Sequence, residues 1–280
     1  MKSSFWRRFR RNKGAVFGLV VLALVALVTA LGPLVAQHDP WDMAGMPFAA
    51  PLAEPGMPLG TDTMGRDILS GIVAGARVSL LIGVVSTVVS LFIGVGVGAV
   101  AGYFGGWIDA TLMRFTELFQ AIPSFALAIV LVAIFEPSVQ SIVAAIAVVS
   151  WPPVARLVRS EFLTLRQRDF VAAAQLAGQS TPRIILTQIL PNAASPIVVM
   201  ASLMIATAIL LESSLSFLGL GDPNRMSWGY MVGSARTVLR QAWWMAVFPG
   251  VAILMTVLAL NLVGEGLNDG LNARADGKGK

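Results

Sequence analysis

The chain has 280 residues, of which 56% are hydrophobic and only 12% charged, against about 25% charged in a typical soluble domain. That balance excludes a soluble enzyme and predicts an all-α polytopic membrane protein built as one domain; the net charge of +5 is no nucleic-acid signal, because the basic residues gather at membrane flanks, where they set topology. Cysteine is absent, so no disulfide, thiol nucleophile or cysteine-ligated metal is available.

Residues 1–14 carry Lys2, Arg7, Arg8, Arg10, Arg11 and Lys13, with Phe5, Trp6 and Phe9 interleaved. An RNA-binding arm is one reading; a cytoplasmic lead-in that hugs the membrane interface is the better one. The apolar run 15–36 is long enough to cross a bilayer, which takes about 20 residues, and too long for a secretory core of about 7–15. It reads as an uncleaved first span, running inside to outside. Residues 37–76 are polar, acidic and rich in Pro and Gly. Their Asp62, Arg66 and Asp67 read by default as a solvated turn, since too few oxygen ligands converge for a metal.

The second span, 78–104, repeats glycine at Gly94, Gly98 and Gly102, a smooth ridge for close helix packing. A short turn follows. The third span, 114–135, opens with Arg114 and Glu117, spaced to pair on one face, and Pro123 should kink or restart it. The fourth span, 139–158, is expected to break at Trp151-Pro152-Pro153. A broken membrane helix survives only where protein or water satisfies the freed carbonyls. Pro152 is therefore a candidate for a translocation path, with a tight bundle as the equal alternative.

Residues 159–192 form an Arg-rich loop whose centre, Asp169–Asn192, reads as two short helices about a turn. Asp169 is a good N-cap for a helix from Phe170 to Ala177. Gly178 supplies the left-handed residue that ends it. Thr181-Pro182 repeats the start signal, and Pro191 is expected to stop the second helix. The result is a small, alanine-faced knob between two spans, although capped loops of this kind are common. The fifth span, 193–215, carries Glu212 near its outer end. An ionisable group there is a functional candidate for the path, or simply a hydrated carboxylate at headgroup level. Residues 216–241 lie outside, with Trp228, Tyr230 and Arg236 on an interfacial helix. The sixth span, 242–263, has Trp243 and Trp244 at its outer belt, and 264–280 is a polar tail.

Orientation follows from charge. With both ends inside, the inner stretches hold six Lys and Arg at the N-terminus, Arg114, five in the knob loop and three in the tail; outside are Arg66, Arg77, Arg225, Arg236 and Arg240. The bias is positive-inside and puts the knob in the cytoplasm. Catalytic sets are missing: one histidine, His38, no nucleophile elbow and no phosphate-binding P-loop. Gly219-Leu220-Gly221-Asp222 matches the G-x-G-D of membrane aspartyl proteases, but neither tyrosine precedes an aspartate. An ion-coupled carrier would want buried acids and inverted repeats; neither is evident.

Several stretches together resemble one family. Ala173, Ala174, Gly178, Ile189, Leu190 and Pro191 resemble the "EAA" coupling loop of bacterial ABC importer permeases, with Ala172 where the Glu would stand and Gln188 where a His is common. GTDTMGRD at Gly60, AGYFGGWID, SFLGLG, SWG and the closing WW…FPG…LALNLVGEGLND are similar to the C-type permease subunit of dipeptide, oligopeptide and nickel importers along almost the whole chain. The resemblance implies six transmembrane helices in the type I importer architecture. It implies a B-type permease partner, two ATPase subunits that hold ATP and magnesium, an extracytoplasmic solute-binding protein, and no cofactor, metal or catalytic residue in this chain. Coupling would fall to Asp169, Phe170, Ala173, Ala174, Gly178, Gln179, Ser180, Thr181 and Pro191. Peptide is the family's commonest cargo, with nickel, opines, glutathione and sugars as alternatives. The site would be the bacterial inner membrane.

Overall fold

The computed structural model describes residues 2–35 and 38–271; the rest of the expected polar tail, 272–280, lies outside them. The chain is helical almost throughout. Helix α1 (Lys2–Arg11) leads into α2 (Lys13–Val35). Asn12 separates them, its Oδ1 accepting the Ala15 N–H at 3.0 Å. The α1 aromatics divide: Trp6 is exposed, whereas Phe9 is buried, Phe5 stacks on it at 6.1 Å, and both lie against Gly266 and Gly270 near the end of the last helix.

Helix α3 (Ile68–Phe104) begins well before the expected start at 78. The cause is Asp67. Its side chain is buried and accepts the N–H groups of Leu69 and Ser70 at 3.2 and 2.9 Å, an N-cap that satisfies orphan donors of the first turn. The expected solvated turn is therefore a helix start. Asp62 holds the preceding turn by accepting from the N–H of Met64 and Arg66.

The turn expected after 104 is instead an immediate second helix, α4 (Gly106–Ala121), which stops before Pro123. Helix α5 (Ser124–Ile134) restarts at an angle of 82° to it. Among the described residues no ion pair joins Arg114 to Glu117. Helix α6 (Val139–Leu165) runs unbroken through Pro152 and Pro153 and past the expected end at 158. After the knob, α9 (Leu190–Leu215) passes into a short π-turn, Ser216–Leu220. Helix α10 (Trp228–Ala235) packs one side against the bundle. Trp228 is buried and its indole N–H donates to the Ile72 carbonyl at 2.9 Å. Helix α11 (Trp244–Leu271) continues past the expected end at 263. Of the two belt tryptophans, Trp243 is exposed while Trp244 is buried and donates to the Thr61 carbonyl at 3.0 Å.

Among the described residues, five helices are long and apolar enough to cross a membrane, and the bent α4–α5 pair makes six if taken as one span. Packing fixes their directions. Gly94 of α3 lies against Val154 and Gly102 against Phe162, so α3 and α6 run the same way. Gly18 of α2 lies against Ala259 and Gly14 against Leu262, so α2 and α11 run antiparallel. The described termini and the knob therefore share one end of the bundle, and residues 38–67 and 216–243 the other. Outward faces stay apolar: Leu81, Val88 and Phe92 on α3 are exposed, as expected where lipid tails or another helix replace water.

Candidate functional site: the helical knob

Between α6 and α9 the chain forms α7 (Asp169–Leu176), a turn, and α8 (Thr181–Arg183), which runs through a π-turn at Ile184–Ile189 into α9. Its base is dry. Val171 and Ala174 of α7 pack with Ile184, Ile189 and Ala193 on the Val154–Val158–Phe162 face of α6. Its far side is open: Ala172, Ala173 and Leu176 point outward, Leu176 being 91% exposed and Phe170 37%. The neighbouring alanines thus have opposite roles. Ala174 belongs to the base and Ala173 to the outer face.

Gly178 has φ 72°, the left-handed region that side chains with a Cβ avoid. Around it the Gln179 N–H donates to the Ala174 carbonyl at 3.1 Å and the Gly178 N–H to the Gln175 carbonyl at 2.9 Å. Those two bonds are the Schellman closure of a helix end. Asp169 is not the cap: Arg168 takes that position with extended backbone, Asp169 is the first helical residue, and neither side chain caps. Ser180, not Thr181, takes the corresponding position before the second helix, again without a side-chain bond. Gln188 Nε2 reaches back to Gln179 Oε1 at 3.5 Å, spanning the turn. Pro191 does not stop a helix. It lies directly after the π-turn, inside a helix that runs on from Thr181 to Leu220, and the π-turn has already displaced the hydrogen-bond ladder ahead of its missing N–H.

Pro152 and Glu212 lie away from the knob. Pro152 is buried within α6, next to Trp151, whose ring meets Phe115 and Phe119 of α4. Glu212, near the opposite end of α9, is 1% exposed, so the hydrated headgroup-level carboxylate is excluded. Its Oε1 accepts the hydroxyls of Ser216 at 2.8 Å and Ser227 at 2.7 Å, and its Oε2 that of Ser213 at 3.4 Å. Ser227 also accepts the Tyr230 N–H at 2.9 Å and so caps α10. The carboxylate joins α9 to α10.

Residues 94–277 match the family described as binding-protein-dependent transport system inner membrane component, and residues 3–51 match the N-terminal transmembrane domain of oligopeptide transport permease C. The chain belongs to this family of binding-protein-dependent permeases. Curated relatives agree. It is 41% identical over 276 residues to the di/tripeptide transport system permease protein DppC of Pseudomonas aeruginosa, covering 96% of this chain and 91% of that one. It is 38% identical over 271 residues to the oligopeptide transport system permease protein OppC of Escherichia coli, covering 96% and 89%. Its fold is similar to a chain of the inward-facing MetNI methionine ABC transporter, with TM-score 0.59 at 18% identity over 70% of this chain and 93% of that one. The permease thus has the transmembrane-domain architecture of an ABC importer, and it is a multi-pass inner-membrane component.

Three features of the permease escaped the sequence reading. Leu176 and Leu186 are large exposed apolar residues at the knob; the signal was there, since Leu176 falls on the helix face opposite Val171 and Ala174. Ser227 as a partner of Glu212 had no local signal at all. Nor did the Arg159–Asp109 ion pair, which joins positions far apart in the chain.

Proposed function

We propose that this permease forms, with a second permease of the B type, the path by which an ATP-driven importer moves di- and oligopeptides into the cytoplasm. The knob end of the bundle, with both termini, is the cytoplasmic end. The other end receives cargo from a solute-binding protein. Two separate ATPase subunits hold ATP and magnesium, and the knob seats in a cleft on one of them. The observation that supports the reading most is the build of the knob: a closed, capped turn on a dry base, presenting Ala172, Ala173 and Leu176 outward. An apolar face held this rigidly, at the end of a membrane bundle, suits docking to another protein. Peptide cargo is supported by the names of the relatives. Asp169, Phe170, Ala173, Gly178 and Ser180 are exposed on the knob and Gln179, Thr181 and Pro191 complete its turn and exit, while Ala174 acts from beneath.

The test is purification of the tagged permease from its native membrane with its partners, followed by ATPase assay. Recovery of a second permease and ATPase subunits, with hydrolysis raised by peptide-loaded binding protein, is the expected result. A permease that elutes alone and moves peptide in liposomes without ATP contradicts it.

A further inference from the structure

Two arginines of α6 and the one that caps its end reach across to α3 and α4 just above the knob. Arg159 grips Asp109 of α4 with both ends of its guanidinium, Nε to Oδ1 at 2.5 Å and Nη2 to Oδ2 at 2.6 Å. Such fork-to-fork pairs fix direction as well as distance. The aspartate is largely shielded from solvent, so screening is weaker than at an open surface. Arg166 Nη1 donates to the carbonyls of Tyr103 at 2.9 Å and Gly102 at 3.3 Å. These belong to the last turn of α3, where carbonyls lack helical partners and a cation is favoured. Arg156 Nη1 donates to Gln120 Oε1 at 3.0 Å, near the far end of α4.

The contacts fall where the chain changes direction. The α3–α4 elbow is Gly105-Gly106, both with positive φ, and the Arg166 guanidinium fills the space beside Gly105. Arg166 is the C-cap of α6, and Arg168 already caps α7. Beyond α4, the chain bends by 82° into α5 at Ile122-Pro123. Among the described residues the only other ion pair, Arg66–Asp62, spans 4.0 Å within one turn and joins no helices.

We propose that Arg159, Asp109 and Arg166 are positioning residues for transport: they clamp the foot of α6 to the α3–α4 elbow, so that movement of the knob is delivered to α4 and turned at Pro123 into movement of α5. The proposal rests on the knob being the link to the ATPase. It separates two events that a loose elbow would uncouple, hydrolysis and translocation. A clamp that served only folding would set the amount of complex and leave the transport obtained per ATP unchanged.

The experiment uses the complete importer in liposomes, with radiolabelled dialanine as cargo, and reads complex recovery, ATPase stimulation by loaded binding protein, and uptake per ATP. Asp109→Asn and Arg159→Gln are expected to keep stimulation but to lower uptake per ATP by about tenfold, within the usual range of coupling between sites. The double variant should be no worse than either single one, because both break the same contact. Arg159→Lys, which keeps the charge and loses the fork, should fall between. If the neutral variants fail to assemble, Arg159→Lys and Asp109→Glu are measured in their place, and uptake per ATP must still fall. Unchanged uptake per ATP, or a loss that only follows complex recovery, overturns the clamp. The underlying knob reading fails separately: Leu176→Asp must abolish ATPase association, and if it does not, the knob is not the link whatever the clamp variants do.

Discussion

Gly178 and Glu212 show how much a single residue decides here, and by different physics. Space around Gly178 is open, so a larger side chain there meets no neighbour; the obstacle is its left-handed backbone, which costs an L-residue about 1–2 kcal/mol. Gly178→Val should leave the membrane bundle intact and reduce coupled transport severely, whereas Gly178→Asn, which tolerates that backbone better, should be milder. Reconstituted uptake of labelled peptide checks the order. Glu212 is the reverse case, held by contacts rather than conformation. Glu212→Ala strands the Ser216 and Ser227 hydroxyls in a buried site, and losing buried hydrogen-bond acceptors costs about 1–3 kcal/mol each. Glu212→Gln keeps one acceptor oxygen and should lose less. Thermal unfolding of the detergent-purified complex distinguishes them. Gly178 was legible in the sequence because helix-ending glycines have a local grammar. The burial of Glu212 was not, since its partner Ser227 lies on another helix and nothing near Glu212 announces it.

At the level of helices, the glycine ridge of α3 makes a sharper claim. A Cβ at Gly94 would sit 2.5 Å from the Val154 Cβ, and one at Gly102 would sit 2.6 Å from the Phe162 Cβ, while Gly96 meets nothing within 4 Å. Overpacking a tight interface costs about 1–3 kcal/mol. Gly102→Val should therefore lower the melting temperature and yield of the complex, and Gly96→Ala should leave both unchanged or slightly raised, as alanine favours a helix. The ridge was readable from its four-residue spacing. Proline was harder. Pro123 ends α4 as expected, yet Pro152 and Pro153 interrupt nothing and Pro191 lies inside a helix that continues from Thr181 to Leu220. The difference lies in surroundings: α6 is packed along α3 by the ridge and against α4 by Trp151, and Pro191 follows a π-turn, where the hydrogen-bond ladder is already displaced. Local sequence carries the proline but not its neighbours.

For the whole molecule, composition was enough to predict a helical membrane bundle, and the knob motif together with the dispersed signatures was enough to place it among ABC importer permeases. What remained hidden is what only packing supplies: the 82° size of the bend at Pro123, where only a kink was expected, and the clamp at the elbow. The central claim is that the knob makes this bundle the membrane half of an ATP-driven machine. It is tested most directly by peptide uptake into liposomes holding the permease, its second permease and both ATPase subunits, with binding protein supplied, comparing the native chain with Leu176→Asp. Uptake that requires ATP and is lost with the knob variant, while the permease pair still assembles, is the expected result. Uptake that continues without ATP, or is indifferent to Leu176→Asp, contradicts it.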